Sequence, residues 1–133
     1  MKQAMFWKSL SNQQIQCNLC PHRCVLTKDH LGICGVRKNI DGELFSLNNG
    51  YTISRAIDPI EKKPLYHFLP KTRTYSLASA GCNFACPWCQ NHEISQKSDF
   101  KNNYGEPISP DKHVSLAQAY HCPSISYTYS EPT

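Results

Sequence analysis

The chain has 133 residues, enough for one domain with a modest core, and its 14 Lys and Arg against 10 Asp and Glu give a net charge of +4. That excess lies in isolated pairs such as Arg37-Lys38 and Lys62-Lys63, too sparse for the basic patch of a nucleic-acid-binding protein. No stretch approaches the roughly 18 apolar residues of a membrane helix, and the N-terminal apolar run Ala4-Met5-Phe6-Trp7 is too short for a signal peptide, so the expectation is a cytoplasmic protein with no nucleic-acid and no membrane partner.

In chain order, "AMFWKSL" within residues 1–13 reads as a helical turn or two. Residues 17–36 form a Cys- and Gly-rich loop unit. "ELFSLNNGYTISRAI" alternates apolar and polar residues and breaks at Asn48-Asn49-Gly50, which predicts a β-hairpin with strands at about 43–47 and 51–57. "DPIEKKPLYHFLPKT" contains Pro59, Pro64 and Pro70, so it reads as an extended connector. Its Ile60, Leu65, Tyr66, Phe68 and Leu69 should pack against the protein. "RTYSLASA", 73–80, is a short strand, and "SQKSDFKNNYGEP" a polar loop. Ser109 as N-cap, Pro110 at the first helical position and Asp111 in the first turn predict a helix over 110–121. A further β-rich run follows at 124–132. Strand, loop, helix and strand make one βαβ unit, expected to pair in parallel with a right-handed crossover. The chain thus divides into an N-terminal region, 1–72, and a βαβ region, 73–133. No internal repeat or low-complexity tract is present.

The cysteines carry the chemistry. There are eight, and in a reducing compartment clustered thiols bind metal more often than they form disulfides. Cys17, Cys20, Cys24 and Cys34 form one group, Cys82, Cys86 and Cys89 a second, and Cys122 stands apart beside Pro123. Four thiolates imply a closed site, either tetrahedral zinc or an iron–sulfur cluster, and the spacing does not choose between them. His22 and His30 are alternative ligands for that first group. Cys122 reads as a buried free thiol. His67, His92, His113 and His121 make no spaced pair with a carboxylate, which argues against a hydrolytic zinc site.

The second group differs because three thiolates leave a metal centre open. Held by three cysteines, a cube of four irons and four sulfides keeps one iron free to chelate an amine and a carboxylate. The spacing Cys82-x3-Cys86-x2-Cys89 matches neither the ferredoxin run C-x2-C-x2-C-x3-C-P nor the paired C-x2-C of a zinc knuckle. The competing reading is a structural zinc site that borrows Cys122 as fourth ligand. Phe84, within the loop, reads as a core residue.

Here a resemblance becomes specific. "CNFACPWC", 82–89, resembles the C-x3-C-x-aromatic-C signature of radical S-adenosylmethionine enzymes. Together, "CNLCPHRC…GICGVR", "DPIEKKPLYHFLP", "GCNFACPWCQN" and "YTYSEPT" resemble the radical enzymes of the AmmeMemoRadiSam system, relatives of pyruvate formate-lyase activating enzymes. The resemblance runs from about residue 4 to the last residue. It implies an α/β fold: the start of a partial (β/α) barrel, one βαβ unit, behind a small Cys-rich region with a β-hairpin. It also implies a 4Fe–4S cluster on Cys82, Cys86 and Cys89, with S-adenosylmethionine as second cofactor. Trp88 would lie against the adenine ring. Glu131 would meet the ammonium of the methionine moiety, with Tyr129-Ser130 standing where the superfamily has two glycines. The reaction implied is reductive cleavage of S-adenosylmethionine to a 5′-deoxyadenosyl radical that abstracts hydrogen, in activase fashion from a protein substrate. Its electron would come from a donor such as flavodoxin or ferredoxin. A function of another class is a small zinc or iron–sulfur module for electron transfer or protein interaction. Because a β/α barrel takes at least about 200 residues, the expectation is further that this sequence is the N-terminal part of a longer enzyme, weakly folded and inactive alone.

Overall fold

In the computed structural model, which describes residues 1–96 and 103–130, the N-terminal segment forms strands where the sequence suggested helix. β1 (Lys2–Gln3) and β2 (Trp7–Ser9) are separated by Phe6 at φ 58°, a left-handed residue that no continuous helix accommodates. β2 runs antiparallel to β3 (Ile15–Cys17), with Trp7 opposite Cys17, and β3 pairs with β4 (Val25–Leu26). The reversal between β2 and β3 places Asn12 and Gln13 at φ 56° and 58° and closes with Leu10 N–H donating to Gln14 O at 2.8 Å. Tertiary pairing overrides local helix propensity here, because Ala4, Ile15, Cys17, Leu26 and Leu44 bury together with Trp7, Leu19 and Cys24 against them. Fully burying a side chain such as Ile15 or Leu44 contributes about 1.5–3 kcal/mol.

The hairpin also lies elsewhere than the sequence reading placed it. β5 (Arg37–Ile40) and β6 (Glu43–Ser46) pair antiparallel around Asp41-Gly42, with Ile40 opposite Glu43. Both turn residues have positive φ, 51° and 87°, as a tight two-residue hairpin turn requires. The fully buried Asn39 locks this turn: its Oδ1 accepts from Gly42 N–H at 2.9 Å, and its Nδ2 donates to Gln13 O and Leu26 O, each at 2.9 Å. Asn48-Asn49-Gly50 does turn the chain, with Tyr51 N–H donating to Asn48 O. The strands it joins nevertheless part company. β6 stays with β5 and β1, whereas β7 (Tyr51–Thr52) pairs with β10 (Glu106–Pro107), inside the stretch expected to be loop. β8 (Ser54–Pro59) pairs antiparallel with β9 (Arg73–Ala78) over six residue pairs.

In the connector only part of the expected packing occurs. After a 3-10 turn, Ile60–Lys62, Ile60 is buried, but Leu65, Tyr66, Phe68 and Leu69 are exposed among the described residues.

The order strand, helix, strand and the parallel pairing form as the sequence predicts, with the helix and the second strand shorter than expected. After β9 come the short helix α1 (His92–Ser95) and α2 (Pro110–Ala119), then β11 (Ser124–Tyr127), parallel to β9 with Tyr127 opposite Leu77. The Ser109 side chain caps α2 by accepting from Lys112 N–H at 3.3 Å, with Pro110 in the first turn. The three-stranded sheet, in the order β11-β9-β8, has two unlike faces. One buries Tyr75, Leu77, Ile57 and Ile125 against Leu116 and Ala117 of α2 and against Cys122, which is buried as expected. His113 of α2 adds polar ties, with Nε2 2.9 Å from Thr52 Oγ1 and Nδ1 3.1 Å from Tyr75 Oη. The opposite face is polar and buried: Asp58, Thr74 and Ser76. The architecture is mixed α/β and mostly strand, in sheets of two or three strands. Among the described residues no helix is long and apolar enough to cross a membrane.

Replacing Gly42 with alanine puts a Cβ on a residue at φ 87° in the hairpin turn. The variant is expected to lose about 1–2 kcal/mol of stability, read as a lower urea midpoint at unchanged denaturant slope.

Candidate metal centre

The second cysteine group sits where β9 delivers it. Since β9 and β11 run parallel, residues 79–82 and 128–130 leave the sheet at the same, carboxyl-terminal end, the usual location of ligand sites in parallel sheets. Gly81 starts the loop at φ 93°, and a Cβ there would lie 2.6 Å from both Cys34 O and Val36 Cγ1. No larger residue fits without moving that backbone. Gly81 N–H donates to Ile94 O at 2.9 Å, and Cys89 N–H to Cys86 O at 3.1 Å, so the loop is folded back on α1. Cys82, Cys86 and Cys89, all partly exposed, line one open cavity of about 730 Å³ together with Phe84, Ser95 and residues 126–130.

Within this loop Cys89 is distinct. Its Sγ lies 3.2 Å from Ser95 Oγ, and that hydrogen bond, more than any other cause, draws its pKa below the ordinary thiol value. Gln96 Nε2 donates to Cys86 O at 3.2 Å. Trp88 is 84% exposed, a free aromatic face at the loop's tip. Phe84, read as core, is instead 56% exposed and lines the open cavity beside the thiols. Glu131 lies outside the described residues.

Lys62, Lys63 and Tyr129 also line this cavity, and they belong to a cluster that sequence reasoning missed. The buried Asp58 carboxylate accepts from four donors: Lys62 Nζ at 2.8 Å, Lys63 Nζ at 2.9 Å, Ser76 Oγ at 2.7 Å and Tyr129 Oη at 2.7 Å. Lys63 Nζ is also 4.7 Å from the Tyr129 ring centroid, in cation–π reach. Burial by itself would push the Asp58 carboxyl up, but the hydrogen bonds from Lys62, Ser76, Lys63 and Tyr129 together hold it well below the usual carboxylate range. Tyr129 takes φ 72°, the left-handed backbone that favours glycine, at one of the positions where the resemblance places a glycine. The sequence signal was an Asp four and five residues before a Lys pair in "DPIEKK"; nothing in it foretold Ser76 or Tyr129 as partners.

The first group, Cys17, Cys20, Cys24 and Cys34, lines a second cavity of about 320 Å³, which Cys82 also lines. Cys17 N–H donates to Cys24 O at 2.9 Å and Arg23 N–H to Cys20 O at 3.2 Å. Burial raises the Cys34 thiol above its ordinary pKa, against the opposing pull of backbone N–H groups at Val36 and Arg37. Of the two histidines considered as ligands, His22 places Nε2 2.7 Å from Asn83 O, tying this unit to the second cysteine loop, while His30 Nδ1 lies 2.8 Å from Thr27 Oγ1. Among the described residues no three His, Cys, Asp or Glu side chains are gathered so as to hold one metal ion.

No protein-family model matches the chain, and no solved structure matches it. It is 47% identical over all 133 residues to an uncharacterized protein of Methanocaldococcus jannaschii. The chain spans 40% of the length of that relative.

Removing the Asp58 carboxylate leaves the nearly buried Lys63 ammonium without its counter-charge, so Asp58→Ala is expected to cost about 3–5 kcal/mol. The folded-state pKa of Asp58 lies below its unfolded value of 3.8. Its stabilisation is therefore complete above that value and lost as pH falls through it toward the lowered folded-state pKa. Urea midpoints measured from pH 7 downward should drop in the wild type below about pH 4, and the part of that drop due to Asp58 should be absent in Asp58→Asn.

Proposed function

We propose that this chain provides the cluster- and cofactor-binding part of a radical S-adenosylmethionine enzyme, with β9, α2 and β11 as the first unit of its partial (β/α) barrel. The observation that carries this reading is the common cavity of Cys82, Cys86 and Cys89 at the carboxyl ends of two parallel strands. The donor set fits a 4Fe–4S cluster. Three thiols, and no other cysteine among the described lining residues, line one open cavity, and a cluster held there by Cys82, Cys86 and Cys89 would keep one iron open for a ligand. When bound, the cluster and S-adenosylmethionine supply one-electron cleavage of a sulfonium and a radical able to abstract hydrogen.

The chain's own residues position and shield that chemistry. Cys82, Cys86 and Cys89 hold the cluster. The exposed indole of Trp88 offers a flat apolar face for an adenine ring. Asp58 ties the connector, through Lys62 and Lys63, to β9 through Ser76 and to the end of β11 through Tyr129. The part of the cavity lined by Lys62, Lys63 and Tyr129 is thereby fixed, and two ammonium groups share the lining with the three thiols. An electron-donor protein of the flavodoxin or ferredoxin class and a hydrogen-donating substrate, a protein in the activase-like case, complete the reaction. Glu131 is carried in this reading as a ligand of the methionine ammonium.

Anaerobic reconstitution with iron and sulfide tests the proposal. The wild-type chain is expected to give a cluster whose electron paramagnetic resonance signal changes on adding S-adenosylmethionine, and Cys86→Ala is expected to lose that response. A zinc-bound chain, or a cluster indifferent to S-adenosylmethionine, would favour the small metal-binding module instead.

A further inference from the structure

Along β11 the side chains alternate between the two faces of the sheet. Ser126 shares the polar face, with Oγ 2.8 Å from Thr74 Oγ1, and Ile125 packs on the apolar face with Tyr75 and Leu77. Carried on past the strand end, that alternation assigns residue 129 to the apolar face with Ile125. The Tyr129 phenol lies instead on the polar face. Its Oη donates to Asp58 Oδ2 at 2.7 Å, an oxygen that also accepts from Ser76 Oγ at 2.7 Å. The change of face coincides with the backbone of Tyr129 at φ 72°, a conformation disfavoured for any residue with a bulky side chain.

Three contacts hold it there. Besides the bond to Asp58, Lys63 Nζ lies 3.4 Å from Tyr129 Oη and 4.7 Å from its ring centroid, and Lys62 Nζ lies 5.9 Å from that centroid. The bond to Asp58 leads, because a carboxylate acceptor makes a charge-assisted hydrogen bond. Its far end is fixed: Asp58 is buried and stands opposite Thr74 in the register of β8 and β9. On either side of Tyr129 the chain is tied to β9 and the residue after it, by Thr128 N–H donating to Leu77 O at 3.0 Å and Ser130 Oγ donating to Ser79 O at 3.3 Å. Residues 126–130 line the cavity that Cys82, Cys86 and Cys89 share.

We infer that Asp58 and Tyr129 are positioning residues for S-adenosylmethionine: the hydrogen bond between them latches residue 129 in the left-handed backbone and so sets the path of 128–130 along the cavity of the three thiols. The latch stands on this geometry alone; its effect on the cofactor rests on the function proposed above. A glycine at 129 would reach the same backbone without strain, but it would populate others as readily. The anchored tyrosine confines the segment to one path before the ligand arrives, which removes an ordering cost from binding.

The experiment uses the full chain. Nuclear magnetic resonance of the isotope-labelled protein reads the φ of residue 129. The same protein, reconstituted anaerobically with iron and sulfide, is titrated with S-adenosylmethionine and followed by electron paramagnetic resonance. Tyr129→Phe removes the bond to Asp58 but leaves that carboxylate its donors Lys62, Lys63 and Ser76, so the fold survives. It is expected to lose the left-handed φ, keep its iron content, and bind S-adenosylmethionine about 5- to 30-fold more weakly, the factor that the strain of one left-handed residue represents. Tyr129→Gly regains the backbone without the anchor and should bind more tightly than Tyr129→Phe, a rescue that a merely structural role for the side chain would not give. A left-handed residue 129 retained in Tyr129→Phe overturns the latch. Wild-type affinity in Tyr129→Phe, or Tyr129→Gly no tighter than Tyr129→Phe, overturns the positioning role. A wild-type cluster indifferent to S-adenosylmethionine sinks the function proposed above and the cofactor half of this inference with it, while the φ of residue 129 in Tyr129→Phe still decides the latch.

Discussion

The parallel pairing of β9 with β11 is the constraint on which the site depends. It aligns Thr74 to Leu77 with Ser124 to Tyr127, so the loop that carries Cys82, Cys86 and Cys89 and the segment ending at Ser130 emerge side by side. Neither is placed by its own local structure. The loop contains Gly81 and Pro87 and only a four-residue helix behind it, and 128–130 includes a left-handed tyrosine. What holds them is the sheet beneath, with α2 packed on its apolar face through Ala117, Leu116 and Cys122. A parallel pair needs such a crossover element to cover it.

The polar face of that sheet is the other half of the design. A buried carboxylate is costly unless its charge is met and its lone pairs are filled. Asp58 satisfies both conditions by drawing in two lysines from the following turn, a serine from β9 and a tyrosine from beyond β11. One carboxylate therefore fixes three separate chain segments around the cavity. Two ammoniums against one carboxylate also leave a net positive charge in the lining that Lys62 and Lys63 share with the thiols. That balance suits the thiolate-bound cluster of the proposed function, whose negative charge grows on reduction.

The two cysteine groups are coupled by contact and not by sequence. Forty-odd residues separate Cys34 from Cys82, yet Gly81 packs on Cys34 O and His22 hydrogen-bonds to Asn83 O.

Much of the candidate site was legible in the sequence. Spacing marked out both cysteine groups, and Ser109-Pro110 marked the start of α2, because metal ligation and helix capping are set by residues a few positions apart. Non-local features were not legible. The segment around Trp7 became a strand because β3 offered it partners and a shared core. Asp41-Gly42, and not Asn49-Gly50, closed the hairpin, since the buried Asn39 locks that turn. Leu65, Tyr66, Phe68 and Leu69 stayed exposed although their composition suggested a core. The sequence by itself determined the two thiol groups, three cysteines in one loop and four in another, and the order strand, helix, strand. Only the tertiary structure decided that β8 joins β9, that Asp58 gathers Lys63, Ser76 and Tyr129, and that the two cysteine units meet at Gly81. Ligand type and turn chemistry are written in neighbouring residues, whereas burial, register and close backbone approach depend on segments that come together only when the whole chain folds.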